Sequence, residues 1–177
     1  MREITKIMKG WEFTGPDGTT TTVDLPHTWN ARDGQDGGND YWRGTCIYRT
    51  RFAAPQFNTA SHQVWIQFDG VNASAHVVLN GSPVCNHDGG YSTFRANITE
   101  LLRDENELTV EVDNSKNDRV YPQKADFTFY GGIYRDVTLH VVPAAHFALA
   151  ENGAVPVKIT PAVTDLAERR CEVTVEA

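Results

Sequence analysis

Apolar and polar residues alternate along much of this chain with a period of two, which is the pattern of strands that bury one face. The segments CIYRTRF, QVWIQF and ELTVEVDN, at residues 46–52, 63–68 and 107–114, all show this alternation. The segment ASAHVVLNG ends at Asn80 and Gly81, a pair that favours a tight hairpin because both residues tolerate positive φ. The pattern therefore predicts several short strands, two of them joined by a hairpin.

Helix signals are almost absent from the sequence. The single candidate is NITELL, residues 97–102, in which Asn97 or Thr99 can cap one short turn. Short strands separated by Gly, Asn and Asp turns favour an antiparallel β-sandwich over alternating βαβ units. We therefore predict an all-β antiparallel sandwich. Its predicted buried positions include Leu79, Val110, Val112, Val137 and Leu139.

The strand pattern breaks after Pro143 and resumes near the end of the sequence, where Val173 and Val175 alternate with polar residues. A single hairpin cannot close a hydrophobic core. We therefore predict one complete domain over residues 1–143, followed at 144–177 by a linker and the first strands of a second domain. On this hypothesis the chain is part of a longer protein, and its last strands pack poorly by themselves and offer their edges to partners.

Composition argues against several classes of partner. The formal net charge is -7 and the 16 Lys and Arg residues are scattered, which disfavours binding to nucleic acid or to an anionic membrane surface. No apolar run approaches the roughly 20 residues that span a bilayer, and the N-terminus has no segment of signal-peptide type. The 3 cysteines are far apart and show no metal-ligand spacing, so we expect reduced thiols in a cytoplasmic protein.

The acidic loop ARDGQDGGND, residues 31–40, is the one candidate for a metal site. Calcium-loop spacing counted from Asp33 places Gln35 and Gly37 at ligand positions, and no glutamate closes the loop. A solvated loop with glycines that relax the backbone is therefore favoured over a calcium site. We predict neither a metal nor a cofactor in this chain.

Three polar positions on or beside the predicted strands have simple structural explanations. Asn72-Ala73-Ser74 and Asn97-Ile98-Thr99 match the N-glycosylation triplet, which arises by chance and has no role in a cytoplasmic protein. The segment IYRDVTLHV, residues 133–141, is predicted as one strand, and Arg135 falls on its apolar face with Ile133 and Val137. A charge there has to be paired, so a structural ion pair is favoured for Arg135 over a ligand contact. Its neighbour Asp136 points to the opposite face and is not the expected partner.

Asp126 stands alone in a long polar loop, just before Phe127, Phe129 and Tyr130. Sugar sites combine aromatic faces, which cover the C–H side of a pyranose, with carboxylates that accept hydrogen bonds from hydroxyls. A loop aspartate can also cap its own backbone. On these residues alone, capping is favoured and a sugar contact stays the alternative.

Five phrases follow one another along the chain: LPHTWN (25–30), DGGNDYWRGT (36–45), FDGVNASAHVVLNG (68–81), HDGGYSTFRANIT (87–99) and DFTFYGGIYRDV (126–137). Together they resemble the N-terminal domain of glycoside hydrolase family 2, and most of all that of its β-galactosidases. The resemblance covers essentially residues 10–143. The later segment HFALAENGAVPVKITPAV resembles the start of the family's second, immunoglobulin-like domain.

The resemblance implies a jelly-roll sandwich of the galactose-binding type. It also implies that the whole enzyme is a retaining β-glycosidase, in which one carboxylate attacks the anomeric carbon and another acts as acid and then base. In the family both carboxylates lie on a later (β/α)8 barrel that this sequence lacks, so the chain alone is not expected to hydrolyse a substrate. The family's sodium and magnesium sites draw on that barrel as well.

The same resemblance gives Asp126 a role. In the family, the aspartate at this position reaches into the active site and binds hydroxyls of the non-reducing sugar, so a substrate contact becomes the favoured interpretation. The loop DGGNDYWRG resembles one that borders the pocket, which adds Asn39 and Asp40 as substrate-binding candidates. The aromatic residues after Asp126 are expected to pack the loop against the sheet.

Two other functions stay open at this stage. An independent carbohydrate-binding module would need an exposed aromatic platform, for which Trp42 with Tyr41 is the candidate. A purely structural domain that mediates subunit contacts in a homo-oligomer would need no sugar site. The family resemblance also leaves open which carbohydrate the parent enzyme cleaves, since β-galactosidases, β-glucuronidases and β-mannosidases share this architecture.

Overall fold

The computed structural model describes residues 2–31, 41–121 and 128–177. Within these ranges the chain forms strands and one 3-10 turn, Thr99–Leu101, and no α-helix; none of the described residues forms a helix long and apolar enough to cross a membrane. The strands are β1 Glu3–Lys6, β2 Trp11–Thr14, β3 Thr20–Val23, β4 Thr45–Ala53, β5 His62–Phe68, β6 Val71–Asn72, β7 Ser74–Leu79, β8 Ser82–Asp88, β9 Phe94–Asn97, β10 Glu105–Asp113, β11 Gly132–Ile133, β12 Val137–Pro143, β13 Lys158–Asp165 and β14 Arg170–Glu176. The all-β prediction is confirmed.

Two antiparallel sheets make up the body of the fold. One has four strands in the order β1-β12-β5-β9, and the other has six in the order β3-β2-β4-β10-β7-β8. A single cluster of buried side chains fills the space between them, with Ile66 from the first sheet and Tyr48 and Leu108 from the second. This arrangement is the predicted antiparallel jelly-roll sandwich.

The predicted core positions are confirmed. Burying a Val or Leu side chain stabilises a fold by about 1.5–3 kcal/mol, so these positions carry much of the stability of the sandwich. The positions predicted from alternation alone are all buried: Leu79, Val110, Val112, Val137 and Leu139.

The predicted hairpin joins β7 to β8 through Asn80 and Gly81, whose φ angles are 53° and 82°. Asn80 also holds two neighbouring segments. Its Nδ2 donates to the Leu101 carbonyl oxygen at 2.8 Å, and its Oδ1 accepts from the Glu107 N–H at 2.9 Å. The turn residue therefore fastens the 3-10 turn to the start of β10.

The strand predicted to run without a break from Ile133 to Val141 is wrong in its first part. β11 ends at Ile133 and pairs with β6 in a separate two-stranded sheet. β12 begins only at Val137 and belongs to the four-stranded sheet. The chain changes sheets between these two residues, so alternation across the break does not place its side chains on a common face.

Arg135 lies in this break and is exposed, which corrects the expectation of a buried ion pair. Its Nη1 donates to the carbonyl oxygens of Asp69 and Tyr91, both at 3.2 Å. Within the described ranges Arg135 forms no ion pair, because backbone carbonyls rather than a carboxylate hold its guanidinium. Asp136 pairs with Lys6 at 2.5 Å, which raises the pKa of Lys6 through their hydrogen bond.

β12 is buried on both faces, and the face turned away from the core carries a buried histidine. Arg2 donates to Nδ1 of His140, so the ring proton lies on Nε2, which donates to Thr138 Oγ1 at 2.9 Å. Burial lowers the pKa of His140 to about 4, and the charges of Arg2 and Arg95 add to this effect. The imidazole is therefore neutral in the folded protein at neutral pH.

Acidification from pH 6.5 towards 4 is expected to destabilise the fold through His140. Over that range the folded imidazole stays neutral, whereas the unfolded chain binds a proton below the ordinary pKa of about 6.5. The unfolded state thus takes up more protons, and the free energy of unfolding falls by up to about 1.4 kcal/mol per pH unit. Denaturant unfolding of the wild type and of His140→Gln at several pH values should show a shallower slope for the variant. Equal slopes would contradict this prediction.

The residues after Pro143 fall into two parts. The first contacts the edge of the four-stranded sheet, where the Glu151 carbonyl oxygen accepts from the Arg95 N–H at 2.7 Å. In the second, β13 and β14 pair with each other and all of their residues are exposed. The boundary between two domains at residue 143 stays a prediction.

Candidate functional site

The predicted substrate-binding residues Asn39, Asp40 and Asp126 lie outside the described residues. The first two belong to segment 32–40 and the third to segment 122–127. What the structure describes is the framework on both sides of these segments. Contacts between these flanking residues indicate whether the two segments can contribute to one site.

A buried asparagine joins the ends of the two loops. Asn30 lies two residues before segment 32–40 and is 0% exposed. Its Oδ1 accepts from the Gly131 N–H at 2.8 Å, and its Nδ2 donates to the Trp42 carbonyl oxygen at 2.9 Å. Trp42 follows the first segment and Gly131 follows the second. One side chain therefore connects described residues on both sides of segment 32–40 with a residue that follows segment 122–127.

A second buried asparagine completes this junction. Asn114, directly after β10, donates from Nδ2 to Asn30 Oδ1 at 3.1 Å. Its Oδ1 accepts from the Gly44 N–H at 2.9 Å, and its own N–H donates to the Gly44 carbonyl oxygen at 3.2 Å. A buried amide without partners costs about 1–3 kcal/mol, so this complementary set fixes the backbone at Trp42, Gly44 and Gly131. We call Asn30 and Asn114 the asparagine junction.

The adjacent glycines of the DFTFYGG phrase allow this close approach. A Cβ atom at Gly131 would lie 2.2 Å from Cζ2 of Trp29, and one at Gly132 would lie 2.5 Å from the His27 carbonyl oxygen. Gly132 also has a φ of +130°, which side chains rarely adopt. Both positions therefore need glycine for the loop to reach the junction.

Two titratable groups lie beneath the glycines. His27 Nδ1 and the Tyr48 hydroxyl are 2.8 Å apart. Burial lowers the pKa of His27 and raises the pKa of Tyr48, so both side chains are uncharged at neutral pH. The hydrogen-bonded pair packs against Gly132, and neither side chain is a charged group that could act in catalysis.

Exposed aromatic side chains stand beside both segments. Trp42, Tyr121 and Tyr130 are 37%, 89% and 39% exposed. Trp42 lines a cleft of about 650 Å³ together with Phe13 and Trp29, a size in the usual range of small-molecule sites. Exposed aromatic side chains therefore lie within three residues of both segments, and one of them, Trp42, lines a cleft.

The proposed platform of Trp42 with Tyr41 is not a single flat surface. The Arg43 guanidinium lies 4.4 Å from the centre of the Tyr41 ring and donates to the Tyr41 hydroxyl. The Trp42 ring instead meets Trp29 edge to face, with 6.1 Å between ring centroids and an angle of 70° between the planes. Of the two candidates, only Trp42 lines the cleft.

The described residues contain no group of three or more His, Cys, Asp or Glu side chains that could hold a metal ion. The acidic loop considered for calcium is largely in segment 32–40, outside the described ranges. The asparagine junction was not predicted from the sequence. Its only signal was the position of Asn30 at the end of the LPHTWN phrase, directly before the glycine-rich loop.

Comparisons with solved structures agree with this fold. An FMN-binding β-glucuronidase from Facaelibacterium prausnitzii L2-6 is 45% identical, with a TM-score of 0.84 over 91% of this chain and 26% of its own. A putative β-galactosidase from Bacteroides fragilis is 34% identical, with a TM-score of 0.85 over 98% of this chain and 28% of its own. Both similarities therefore extend over nearly the whole chain.

Among curated relatives, a β-glucuronidase from Bacteroides fragilis is 41% identical over 125 residues, which is 69% of this chain and 18% of that protein. The chain spans less than a fifth of the length of the first such relatives, between 16% and 19%. Residues 20–143 match the family described as "Glycosyl hydrolases family 2, sugar binding domain". Because this match covers well over half of the chain, the protein belongs to glycosyl hydrolase family 2 and carries that family's sugar binding domain.

Proposed function

We propose that this chain is the non-catalytic N-terminal domain of a retaining β-glycosidase and contributes a loop to the substrate pocket. The observation that carries the proposal is the asparagine junction, in which Asn30 binds Trp42, two residues after the segment with Asn39 and Asp40, and Gly131, four residues after the segment with Asp126. Separate loops with no common anchor would not support a shared site. The family match, with its coverage of only a small share of much longer relatives, supports the same proposal.

The proposed separation of catalysis from substrate binding follows from glycosidase chemistry. A retaining enzyme needs two carboxyl groups about 5–5.5 Å apart, one as nucleophile and one as acid and base. The family resemblance assigns both to a barrel elsewhere in the protein. This domain then supplies binding: the Asp126 carboxylate accepts hydrogen bonds from sugar hydroxyls, and Asn39 and Asp40 border the pocket. Hydrogen bonds to an ionised acceptor contribute about 1.5–3 kcal/mol each.

The names of the relatives refer to different substrates and support two classes of sugar as the substrate of the whole enzyme. Two relatives named β-glucuronidase are 45% and 41% identical over 91% and 69% of this chain, and a third is 29% identical over 90%. Those named β-galactosidase include one that is 34% identical over 98% of this chain and one that is 40% identical over only 44%. The higher identities favour a β-glucuronide as the first substrate to test, although the phrases quoted from the sequence resemble β-galactosidases most. A carboxylate at position 126 can accept hydrogen bonds from the hydroxyls of either sugar.

The test uses the full-length protein with nitrophenyl β-glucuronide, β-galactoside and β-mannoside. We expect hydrolysis of at least one substrate, and proton NMR should detect the β-anomer as the first product. The 177-residue chain alone should hydrolyse none of them. Hydrolysis by the isolated chain, or an α-anomer as first product, would contradict the proposal.

The cleft beside Trp42 gives one reason to keep a carbohydrate-binding module as the second candidate. A module binds sugar by itself, with affinities of about -4 to -8 kcal/mol for dissociation constants from millimolar to micromolar. Calorimetric titration of the isolated chain with the same glycosides separates the two functions. Saturable binding that Trp42→Ala abolishes would favour the module, and the absence of binding would favour the shared site.

A further inference from the structure

Two asparagines of this chain are followed directly by glycine. Buried asparagines in this fold use their side-chain amides to hold the backbone: Asn72, for example, is 4% exposed and donates from Nδ2 to the Tyr130 carbonyl oxygen at 3.0 Å. The pairs Asn80-Gly81 and Asn152-Gly153 place the same amide next to a backbone nitrogen that no side chain hinders. This combination makes an asparagine chemically reactive.

The reaction open to an Asn-Gly pair is an intramolecular deamidation. The glycine backbone nitrogen attacks Cγ of the asparagine side chain, and the new N–Cγ bond closes a succinimide ring. The side-chain nitrogen leaves as ammonia and takes up the proton that the backbone nitrogen loses. Water then adds to one of the two ring carbonyl carbons, and opening of the ring gives aspartate or isoaspartate. Because both reacting groups belong to neighbouring residues, the local geometry and its restraints decide the rate.

The fold restrains Asn80 strongly. Its Nδ2 donates to the Leu101 carbonyl oxygen at 2.8 Å and to Asn106 Oδ1 at 2.9 Å, and its Oδ1 accepts from the Glu107 N–H at 2.9 Å. Both amide hydrogens and the oxygen therefore bind partners on the 3-10 turn and on β10. Attack of the Gly81 nitrogen turns the planar amide tetrahedral, which pulls both polar atoms away from these partners.

In the part of the chain that the structure describes, nothing comparable restrains Asn152. The residue is exposed, and its side chain makes one local hydrogen bond, in which Oδ1 accepts from the Ala154 N–H at 3.2 Å. The Gly153 nitrogen donates to the Ala150 carbonyl oxygen at 3.0 Å across the same turn. Both contacts lie within residues 150–154, so they can open without disturbing the sandwich.

The product would change the attachment of this turn to the four-stranded sheet. The Glu151 carbonyl oxygen accepts from the Arg95 N–H at 2.7 Å, and a Cβ atom at Gly153 would lie 2.5 Å from the Thr93 carbonyl oxygen. Isoaspartate adds one methylene group to the main chain between these two contacts with β9 and the residue before it. The modified turn therefore has to give up one of them.

We propose that Asn152 is a site of spontaneous deamidation, and that the fold protects the identical dipeptide at Asn80 from the same reaction. Loss of the three hydrogen bonds of Asn80 slows its reaction by about 10- to 1000-fold relative to the unfolded chain. At Asn152 only the two contacts inside one exposed turn oppose the reaction. The two pairs thus form a matched comparison within one molecule.

The test is incubation of the full-length protein in mildly alkaline buffer, followed by peptide mapping with mass spectrometry. We expect the peptide with Asn152 to convert to aspartate and isoaspartate at least about 10-fold faster than the peptide with Asn80. In denaturing guanidinium chloride the two pairs should react at similar rates, because the dipeptide is the same and the fold is lost. Asn152→Gln should abolish the signal at position 152, since glutamine would have to close a larger ring.

Three results would overturn the inference. The first is a native rate at Asn80 that equals or exceeds the rate at Asn152. The second is an Asn152 that stays unmodified in the folded protein while it reacts in guanidinium chloride. The third is an Asn80 that remains slower by the same factor after denaturation, because local sequence rather than the fold would then protect it.

Discussion

Replacing Asp126 by alanine in the full-length protein should lower kcat/KM by about 100-fold or more and leave the fold intact. Loss of a charged hydrogen-bond partner costs about 1.5–3 kcal/mol, which corresponds to roughly 10- to 150-fold. Contacts to sugar hydroxyls tighten as the ring distorts towards the oxocarbenium-like transition state, so the loss should fall on kcat as well as on KM. Steady-state kinetics on the best of the tested glycosides measures both parameters.

Two further variants make this result specific. Asp126→Asn keeps the size and part of the acceptor capacity, so it should lose less than the alanine variant. Asp118→Ala removes a carboxylate from the same loop and is the matched control, because Asp118 is exposed. Equal losses from the Asp118 and Asp126 variants, or an Asp126→Ala enzyme of wild-type efficiency, would return Asp126 to a structural role.

Asn30→Ala should lower the free energy of unfolding of the isolated chain by about 3–5 kcal/mol. The substitution removes the acceptor of the Gly131 N–H and of the Asn114 amide, and the donor to the Trp42 carbonyl oxygen. A buried group left without its partner costs about 1–3 kcal/mol. The Trp42 carbonyl oxygen keeps a longer contact with Asn114 Nδ2 at 3.4 Å, whereas the Gly131 N–H loses its acceptor. Urea unfolding followed by tryptophan fluorescence measures the change.

Asn152→Ala is the control for this experiment. Asn152 is exposed and makes a local hydrogen bond, in which its Oδ1 accepts from the Ala154 N–H at 3.2 Å. Its replacement should change the free energy of unfolding by less than about 0.5 kcal/mol. A similarly small change for Asn30→Ala would mean that the asparagine junction does not hold the two loops together.

The sandwich could be predicted from the sequence because the alternation of residues within each strand indicates which face of that strand is buried. In β4, Cys46, Tyr48 and Thr50 are all buried, and they alternate with Ile47, Arg49 and Arg51, which are not. The hairpin could be predicted for a similar reason, since the backbone preferences of Asn80 and Gly81 alone specify the turn. Predictions of this kind need no knowledge of which segments meet in space.

The asparagine junction could not be predicted in this way. Asn30 and Asn114 are 84 residues apart, and each looks like an ordinary turn residue in its own segment. Only the paired sheets bring the end of β10 next to the loop after LPHTWN. The error at Arg135 has a related cause, because a period of two continues through a break where the chain passes from one sheet to another.

The burial of Asn72 has a consequence for how the protein can be produced. A eukaryotic secretory pathway attaches glycans to Asn-X-Ser/Thr triplets, and the attachment atom is the side-chain nitrogen. In Asn72 that nitrogen donates to the Tyr130 carbonyl oxygen, and the residue is 4% exposed. A glycan added there before folding would prevent the hydrogen bond from Asn72 to the Tyr130 carbonyl oxygen, whereas Asn97 is exposed at the surface. Expression in the bacterial cytoplasm avoids this conflict without any substitution.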